Sequence, residues 1–260
     1  MFEKELEAMI EIAEKVRNDI LDIYHQRFEV EIKSDYSPVT LADKTADRLI
    51  REFLHEKFPN YGMLTEESED DISRLEKDYI FVVDPVDGTK DFVSKNGQFT
   101  TNIGLVYKHQ VVAGVISIPC RNEIYYASLN QGAYFKSSEG KTERIHVNDK
   151  VKDLTMLTSN FHTTESELKI AKDNQDVITK VVGCGSSIKA CLIAHGKAEL
   201  SYRLNPNTKE WDTAASQIIV KEAGGLFLEP DLKEITYNRK DVYNRNGFII
   251  LNRKENLFIK

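Results

Sequence analysis

Residues 81–92, Phe-Val-Val-Asp-Pro-Val-Asp-Gly-Thr-Lys-Asp-Phe, constrain the chain more than any other segment. The apolar, β-branched and aromatic run before Asp84 predicts a buried strand that ends at this residue. Pro85 has no amide hydrogen and a fixed φ, so it suits the first position of a helix that Asp84 would cap. Asp87 follows three residues after Asp84, which would turn both carboxylates to one side, and Gly88 lets the backbone approach a ligand. The segment therefore predicts two carboxylates and several free amide donors at one place.

Two carboxylates at close quarters repel each other, by on the order of 4 kcal/mol at about 4 Å and an effective dielectric constant near 20. Protonation of one carboxyl relieves the repulsion, and so does a cation between the two. Oxygen ligands suit a hard cation such as Mg²⁺, which takes further oxygens from water and from a substrate phosphate. An Asp-Gly pair after a strand is also typical of a simple turn, and an Asp-Pro pair of a helix start. On these residues alone, a metal site and a plain turn are both open.

Composition bounds the class of protein. The chain has 260 residues, of which 41% are hydrophobic and 30% charged, which is ordinary for a globular protein with a sizeable core. A net charge of −7 argues against a nucleic acid polymer as partner, although bound cations would still allow small anionic substrates. Three cysteines without a CxxC pattern predict a reducing cytoplasm. We expect no signal peptide and no membrane span, because the N-terminus is charged and every apolar run is short.

Hydrophobic periodicity predicts a mixed chain of helices and strands. The predicted helices cover residues 2–23, 41–57 (with Thr40 as the cap), 166–172, 188–195 and 211–223. The predicted strands cover residues 28–33, 63–64, 79–83, 101–107, 111–118, 123–128, 133–135, 155–159, 198–204, 226–228 and 248–251, with another near Val181. Residues 101–135 alternate strands with short turns, which is typical of an antiparallel meander. Polar loops are predicted at residues 33–40 and between the paired glutamates and Tyr79.

Other polar residues have an ordinary structural explanation and a functional one. Asp43 and Asp212 each lie in the first turn of a predicted helix, where an acid is favoured by the helix dipole alone. Glu66 belongs to a pair of glutamates that would ordinarily be solvated surface, while His162 and Arg203 would ordinarily be a loop residue and a surface charge. The glycines and serines before residue 188 suit either an anion site or a glycine turn with a serine cap.

Three motifs occur in a fixed order: Glu66-Glu67-Ser68, then Asp84-Pro85-Val86-Asp87-Gly88-Thr89, then Trp211-Asp212-Thr213-Ala214-Ala215. Together they resemble the inositol-monophosphatase superfamily of Mg²⁺-dependent, lithium-sensitive phosphomonoesterases, and the match covers most of the chain. The resemblance implies an α+β fold, a layered α/β/α/β/α sandwich of the inositol-monophosphatase or sugar-phosphatase type. It implies one catalytic unit over residues 1–260, with the metal-site motifs in a subdomain at residues 1–150 and substrate-recognition residues in a second at residues 151–260.

The resemblance also implies a site for two or three Mg²⁺ ions. The implied metal ligands are Glu66, Asp84, the carbonyl of Val86, Asp87 and Asp212. The implied catalytic residues are Asp43, Glu66 and Thr89, of which Thr89, paired with Asp43, would position and deprotonate the attacking water. Such a site fits the slow hydrolysis of phosphate monoesters, because cations activate water and neutralise the phosphoryl and leaving oxygens.

Two segments point to one branch of the superfamily. Thr89-Lys90-Asp91-Phe92 resembles the Thr-Lys-Glu-Phe of 3'(2'),5'-bisphosphate nucleotidases of the CysQ type, with aspartate in place of the commoner glutamate, and Gly185-Ser186-Ser187-Ile188-Lys189 resembles the same branch. The implied substrate-binding residues are Lys33, Asp87, Gly88, Thr89, His162, Ser186, Lys189, Arg203 and Asp212. Lys189 and Arg203 would meet a second phosphate, which an inositol phosphate lacks.

The leading hypothesis is a phosphomonoesterase that hydrolyses adenosine 3',5'-bisphosphate to AMP and phosphate. An inositol monophosphatase or sugar phosphatase on the same metal site is the alternative enzyme. A non-catalytic binding protein on a phosphatase fold is a different class, and it is disfavoured because all the acidic ligands are retained. The expected partner is a small nucleotide, and the chain is expected to be a monomer or a homodimer.

Overall fold

The computed structural model describes residues 2–33 and 38–259, so the part of the predicted polar loop at residues 34–37 lies outside the described residues. The helices within the described ranges are α1 (Glu3–His25), α2 (Leu41–Lys57), α3 (Thr89–Val93), α4 (Glu165–Asp173), α5 (Ile188–Ala194) and α6 (Glu210–Glu222), with 3₁₀ helices at Ile72–Glu76, Pro119–Arg121 and Lys254–Asn256. The five helices predicted from periodicity are confirmed within two residues at each end. None of the described helices has the length and apolar character needed to cross a bilayer.

Helix α2 begins where its sequence predicts. The Thr40 hydroxyl accepts a hydrogen bond from the amide of Ala42 at 3.1 Å, and the Asp43 carboxylate accepts one from the amide of Thr40 at 2.8 Å. These two bonds satisfy amide groups that the first turn of a helix leaves without partners. Asp43 is therefore held at a fixed place by the start of the helix.

Two short strands precede the main sheets: β1 (Val30–Ile32) and β2 (Pro38–Thr40), which pair in antiparallel fashion. Strand β1 covers residues 30–32 of the strand predicted at residues 28–33, and all three are exposed. The alternation of apolar and charged residues in this segment is typical of a half-buried strand, but the neighbouring elements leave the side chains of Val30 and Ile32 exposed.

The larger sheet has seven strands whose spatial order follows the chain. They are β3 (Gly62–Thr65), β4 (Tyr79–Asp87), β5 (Thr100–Tyr107), β6 (Gln110–Ile118), β7 (Glu123–Ser128), β8 (Gly132–Lys136) and β9 (Thr142–Ile145). The first pair is parallel and the others are antiparallel, which confirms the predicted meander and adds β9, which was not predicted. Three of the four residues of β9 are exposed, so its sequence lacks the apolar alternation that indicates a strand.

The smaller sheet has five strands: β10 (Leu154–Thr158), β11 (Ile178–Gly183), β12 (Leu200–Arg203), β13 (Leu226–Leu228) and β14 (Phe248–Leu251). In space they lie in the order β11, β10, β12, β14, β13. The first three are parallel, and β14 runs antiparallel to both of its neighbours.

The elements stack in five layers. Helices α1 and α2 pack on one face of the larger sheet, and α5 and α6 lie between the two sheets. Ile170 and Ala171 of α4 pack on the smaller sheet with a separate apolar cluster. This arrangement confirms the expected α/β/α/β/α sandwich.

A pair of glycines fixes α6 against the larger sheet. Gly104 and Gly114 face each other across β5 and β6. A Cβ at Gly104 would lie 2.8 Å from Cβ of Ala214, and one at Gly114 would lie 2.6 Å from Cγ2 of Ile218. Larger side chains would push the helix outward, so these glycines set how closely α6 approaches the sheet.

The helix predicted to begin at Pro85 is not present, because β4 continues to Asp87. The pairing of β4 with β5 shifts register between Asp84, opposite Asn102, and Asp87, opposite Thr100. One extra residue is therefore accommodated in β4, and Pro85 lies in this bulge, where a missing amide hydrogen is tolerated. Residues three apart in a regular strand point to opposite faces, so the bulge is what turns both carboxylates to the same side.

The predicted solvated loop before Tyr79 is also corrected, because it contains a 3₁₀ helix and a buried arginine. The Arg74 side chain is only 1% exposed and donates to both carboxylate oxygens of Asp70, at 2.6 and 2.8 Å. It also donates to Oδ1 of Asn238 at 2.8 Å. Arg74 therefore ties the acidic segment after β3 to the segment that follows β13.

Candidate active site

A cavity of about 530 Å³ lies beside the end of β4. The turn after β3, the start of α3, the loops after β10 and before α5, the end of β12 and the first turns of α6 all contribute to its walls. This volume is typical of a small-molecule site. Among the predicted site residues, ten line the cavity: Glu66, Asp84, Asp87, Gly88, Thr89, His162, Ser186, Lys189, Arg203 and Asp212.

Three carboxylates meet in this cavity and form what we call the acidic cluster: Asp84, Asp87 and Asp212. One oxygen of each lies within 4.8 Å of the others, close enough to hold one cation between them. Asp84 and Asp87 come from the bulged end of β4, and Asp212 comes from the first turn of α6. The cluster therefore needs both the bulge and the close approach of α6 to the larger sheet.

Hydrogen bonds orient each carboxylate. Oδ2 of Asp87 accepts from the amide and the hydroxyl of Ser187, both at 2.8 Å, and from Nδ2 of Asn102 at 3.1 Å. Oδ1 of Asp84 accepts from the amide of Val86 at 3.1 Å, and Oδ2 of Asp212 accepts from an amide in its own helix turn at 2.5 Å. In each residue one oxygen is held by donors of the chain, which leaves the other to face a ligand.

The acidic cluster is electrostatically costly without a cation. Burial, followed by the charges of Glu66, Asp87 and Asp212, raises the pKa of Asp84 well above its usual value. Burial and the nearby charge of Asp87 likewise raise the pKa of Asp212. Buried like charges are stabilised by protonation or by a metal ion, so the cluster has the electrostatic character of a cation site.

Thr89 and Asp43 form a second unit at the cavity wall. The Thr89 hydroxyl donates to Oδ1 of Asp43 at 3.2 Å, and it also lies 3.4 Å from the carbonyl oxygen of Val86. Asp43 is 1% exposed, and burial raises its pKa against the opposing effect of its hydrogen bonds from Thr40. Asp43 and Val86 do not line the cavity themselves, so Asp43 reaches it through the Thr89 hydroxyl.

Lys33 lies beside the glutamate pair and not along the described cavity wall. Its ammonium is 3.1 Å from Oε1 of Glu66 and 2.5 Å from Oε1 of Glu67. Burial raises the pKa of Glu67 to about 7, with the hydrogen bond from Lys33 as the opposing influence. Glu66 and Glu67 are thus half-buried and paired with a cation, which corrects the surface explanation of this motif.

Cationic side chains occupy another part of the same cavity. We call Lys90, Lys189 and Arg203 the cationic wall. Nζ of Lys189 donates to the carbonyl oxygens of Ser186 and Cys184, at 2.5 and 3.1 Å. Asp87 and Arg203 both influence the pKa of Lys189, so the wall lies within electrostatic reach of the acidic cluster.

His162 lies next to this wall. Its carbonyl oxygen accepts a hydrogen bond from Nη1 of Arg203 at 2.5 Å. Burial, and then the charges of Lys90, Arg203 and Lys189, lower the pKa of His162 to about 4. The imidazole is therefore neutral at physiological pH and can both donate and accept hydrogen bonds.

Two backbone positions in the cavity have left-handed φ angles. Gly88 has φ of 89°, which glycine adopts readily and which lets the chain turn from β4 into α3. Ser186 has φ of 47°, which is uncommon for a residue with a side chain, and its buried hydroxyl has no hydrogen-bond partner among the described residues. Strain of this kind is often found at ligand sites.

The comparisons with known proteins agree with this arrangement. Residues 2–257 match the inositol monophosphatase family. The chain belongs to that family. It is 33% identical over 247 residues to 3'(2'),5'-bisphosphate nucleotidase CysQ of Salmonella typhimurium, covering 94% of this chain and 98% of that protein. It is 31% identical over 249 residues to the CysQ of Aggregatibacter actinomycetemcomitans, covering 94% and 91%.

A solved structure has the same fold. CysQ from Bacteroides thetaiotaomicron, a bacterial member of the inositol monophosphatase family, superposes with a TM-score of 0.84 and 35% identity, covering 98% of this chain and 99% of that one. Family membership, the layered fold and the resemblance to the CysQ branch are thus confirmed. The chain is an enzyme of the phosphatase and nucleotidase class.

The residues present fit the metal ions that this family implies. The acidic cluster offers only carboxylate oxygens, and the raised pKa values of Asp84 and Asp212 mark a place where a cation would relieve repulsion. This inositol monophosphatase family member therefore carries an acidic cluster that could hold a metal ion. The roles of the individual residues, the cytoplasmic location, the oligomeric state and the division near residue 150 stay predictions.

Several cavity residues of this family member were not identified from the sequence. Lys90 and Tyr243 line the cavity, as do Asn207 and Thr208 before α6. Ser187, whose partner is Asp87, was given no role of its own. Lys90 and Ser187 lie inside motifs that carried the resemblance, so their positions were a usable signal. Tyr243 lies in an irregular segment without periodicity, and only the folded chain brings it to the cavity.

Proposed function

We propose that the chain is a Mg²⁺-dependent phosphomonoesterase that hydrolyses adenosine 3',5'-bisphosphate to AMP and phosphate. One observation carries the proposal: a single cavity holds an acidic cluster and a cationic wall. The acidic cluster suits the phosphate that reacts, through bound cations, and the cationic wall suits a phosphate that only binds. A substrate with two phosphates matches both, and the nucleotidase activity named for the CysQ relatives points in the same direction.

The proposed holders of Mg²⁺ are Glu66, Asp84, the carbonyl of Val86, Asp87 and Asp212. Bound Mg²⁺ would lower the pKa of water and neutralise the charge of the phosphoryl and leaving oxygens. The chain itself orients the ligand oxygens. The donors on Asp87 and the capping bond on Asp212 fix the two carboxylates before a cation or substrate arrives.

Thr89 and Asp43 are proposed to take the proton from the attacking water. The water donates to Oγ1 of Thr89 while Thr89 donates to Oδ1 of Asp43, which is 3.2 Å away. Because burial raises the pKa of Asp43, this carboxylate is a stronger base than an exposed one. The water oxygen bonds to phosphorus and the bond to the ribose 3' oxygen breaks. The ribose oxygen takes up a proton from solvent water, and Asp43 returns to solvent the proton that it accepted through Thr89.

The second phosphate is proposed to bind at the cationic wall. Arg203 offers a planar fork of donors and Lys189 a point charge, while Ser186 offers a hydroxyl that has no partner among the described residues. His162, neutral at physiological pH, can hydrogen-bond the ribose or the base. Lys33 pairs with Glu66 and Glu67, so we expect its effect on substrate to act through those carboxylates.

The test is phosphate release with Mg²⁺, comparing adenosine 3',5'-bisphosphate with inositol 1-phosphate at equal concentration. We expect a large preference for the nucleotide. Arg203→Ala should raise the KM for the nucleotide at least about 10-fold, because a charged hydrogen bond is lost. Arg48→Ala is the matched control, since Arg48 is exposed, pairs with Glu52 on α2 and does not line the cavity.

A preference for inositol 1-phosphate would overturn the assignment of the cationic wall and favour an inositol or sugar phosphatase on the same acidic cluster. Absence of phosphate release from both compounds, with Mg²⁺ bound in calorimetry, would overturn the choice of substrate class.

A further inference from the structure

A buried carboxylate in the wall of the same cavity has no part in the proposed chemistry. Asp91 lies in α3 and is 5% exposed. Its Oδ1 accepts hydrogen bonds from Nδ2 of Asn96 at 2.6 Å and from Nδ2 of Asn160 at 2.7 Å. Burying a carboxylate is costly unless donors surround it, so this arrangement holds α3, the loop after it and the loop after β10 together.

Gln98 extends this group to a fourth segment. Its Oε1 accepts from Nδ2 of Asn160 at 3.2 Å and from the amide of Gly185 at 2.8 Å. The amide of Gln98 in turn donates to Oδ1 of Asn96 at 2.8 Å. We call Asp91, Asn96, Gln98 and Asn160 the amide clasp. It joins α3, the loop at residues 96–98, the loop after β10 and the loop before α5.

The backbone before α5 packs directly on the amide clasp. A Cβ at Gly185 would lie 2.4 Å from the carbonyl oxygen of Gln98 and 2.7 Å from Cγ of Asp91. A Cβ at Gly183 would lie 2.8 Å from Oδ1 of Asn160. Because there is no free space between the loop and the clasp, a change in the clasp moves the loop.

The joined segments carry the groups of the cationic side of the cavity. Asn160 lies two residues before His162, whose carbonyl oxygen receives the hydrogen bond from Arg203. Gly185 precedes Ser186, whose carbonyl oxygen, together with that of Cys184, holds the ammonium of Lys189. The clasp therefore contacts both loops that fix the cationic wall, and Asp91 also lines the cavity. The charge of Asp91 also opposes the lowering of the Lys189 pKa by burial.

We propose that Asp91 and Asn160 are positioning residues that set the selectivity of the enzyme for a substrate with a second anionic group. The proposal rests on the proposed function, because it concerns the same cavity. Neither residue is proposed to touch the reacting phosphate. Their effect is to hold the loops from which His162, Ser186 and Lys189 face the cavity.

The test measures KM and kcat for two substrates, adenosine 3',5'-bisphosphate and adenosine 3'-monophosphate, which share the reacting phosphate. The wild-type preference for the bisphosphate tests the proposed function before any variant is made. Asn160→Ala should raise the KM for the bisphosphate about 10-fold, the order seen when supporting residues of a site are removed. The kcat, and the kcat/KM for the monophosphate, should stay within about 2-fold of wild type.

Exchanging the aspartate and the asparagine between positions 91 and 160 tests whether their contact is what matters for bisphosphate affinity. Asn160→Asp places a second carboxylate against Asp91 and should raise the KM at least as much as Asn160→Ala. Adding Asp91→Asn restores one donor and one acceptor across the contact, so the double variant should recover most of the bisphosphate affinity. Asn246→Ala is the matched control, because Asn246 is also exposed and donates to a carboxylate, Glu229, at 2.9 Å, without lining the cavity.

Equal losses for the two substrates would overturn the proposal, because they would mean a general structural role. An unchanged KM for the bisphosphate in Asn160→Ala would also overturn it, and so would a double variant no better than Asn160→Asp. Far-ultraviolet circular dichroism and urea unfolding of each variant establish that the folded enzyme is being compared. Because Asn160 is exposed, Asn160→Ala is expected to fold.

Discussion

Asp87→Asn should make the cation-free protein more stable and yet abolish most metal binding. The fold should survive because asparagine keeps one acceptor oxygen. That oxygen must face the amide and hydroxyl of Ser187 and Nδ2 of Asn102, which now bond to Oδ2 of Asp87. The amide nitrogen of the asparagine then takes the position of Oδ1 of Asp87, the carboxylate oxygen that would face a cation.

The two effects have different magnitudes. At 4.8 Å, the largest separation within the acidic cluster, two charges repel by about 3.5 kcal/mol at an effective dielectric constant of about 20. Asp87 makes two such pairs, and protonation of Asp84 and Asp212 already relieves part of the repulsion, so we expect a gain in unfolding free energy of about 1–3 kcal/mol. The attraction between Mg²⁺ and one carboxylate charge about 2.1 Å away is about 4 kcal/mol, even at the dielectric constant of water. Removing that charge should therefore lower the affinity for Mg²⁺ about 10³-fold.

The assay has two arms. Urea unfolding in EDTA at pH 8 measures the stability of the cation-free protein, and calorimetry measures Mg²⁺ affinity, with phosphate release at fixed Mg²⁺ expected to fall about 10³-fold in parallel. Asp78→Asn is the matched control, since Asp78 directly precedes β4, has a 64% exposed side chain and lies 4.0 Å from Lys108. We expect no effect of this control in either arm.

Two results would refute the reasoning. A loss of unfolding free energy in EDTA would mean that Asp87 stabilises the fold as a charged acceptor and that repulsion in the acidic cluster is minor. Unchanged Mg²⁺ affinity would mean that the cation does not bind at this cluster.

Three further predictions address other groups. Without divalent cations, the free energy of unfolding should fall as the pH rises from about 4, the pKa of an unfolded aspartate, towards about 8. The reason is that Asp84 and Asp212 hold protons in the folded protein that the unfolded chain has released. A free energy of unfolding that rises across this range in urea titrations would contradict the prediction. Thr89→Ala should lower kcat about 10²-fold with little change in KM. Thr89→Ser keeps the hydroxyl bonded to Asp43 and should therefore retain most activity. Equal losses of activity for the two variants in steady-state assays would show that the methyl group matters and the hydroxyl does not. Arg74→Met should lower the free energy of unfolding by about 2–4 kcal/mol because buried acceptors lose a charged donor, and a loss below about 1 kcal/mol in urea unfolding would show that these contacts add little.

Local patterns predicted much of the fold. The bounds of α2 and β7 match the sequence-based prediction residue for residue. In α2, the apolar period and the Thr40 cap both act within the helix itself. In β7, alternation and flanking turns do the same. Predictions of this kind depend on neighbours in sequence, which the chain displays directly.

Contacts between distant residues were not predictable in the same way. The bulge at Pro85 depends on the register with β5, where the Thr101 hydroxyl donates to the Pro85 carbonyl at 2.8 Å. The sequence-based prediction places Pro85 at a helix start, which is its more common position. The pairing of Lys33 with Glu67 likewise joins residues far apart in sequence. The acidic residues of the site were recognisable by motif, but their orientation depends on such distant partners.

The acidic cluster also bears on how the chain folds as it leaves the ribosome. All seven strands of the larger sheet are complete once the chain has been synthesised to Ile145, and each pairs mainly with the strand before it. Asp84 and Asp87 are then in place, whereas Asp212 arrives only with α6, which must lie against Gly104 and Gly114. A nascent sheet therefore lacks one carboxylate of the cluster, and the proposed cation site is complete only late in synthesis. The proposed binding of Mg²⁺ would thus stabilise the finished enzyme in preference to its unfinished precursors.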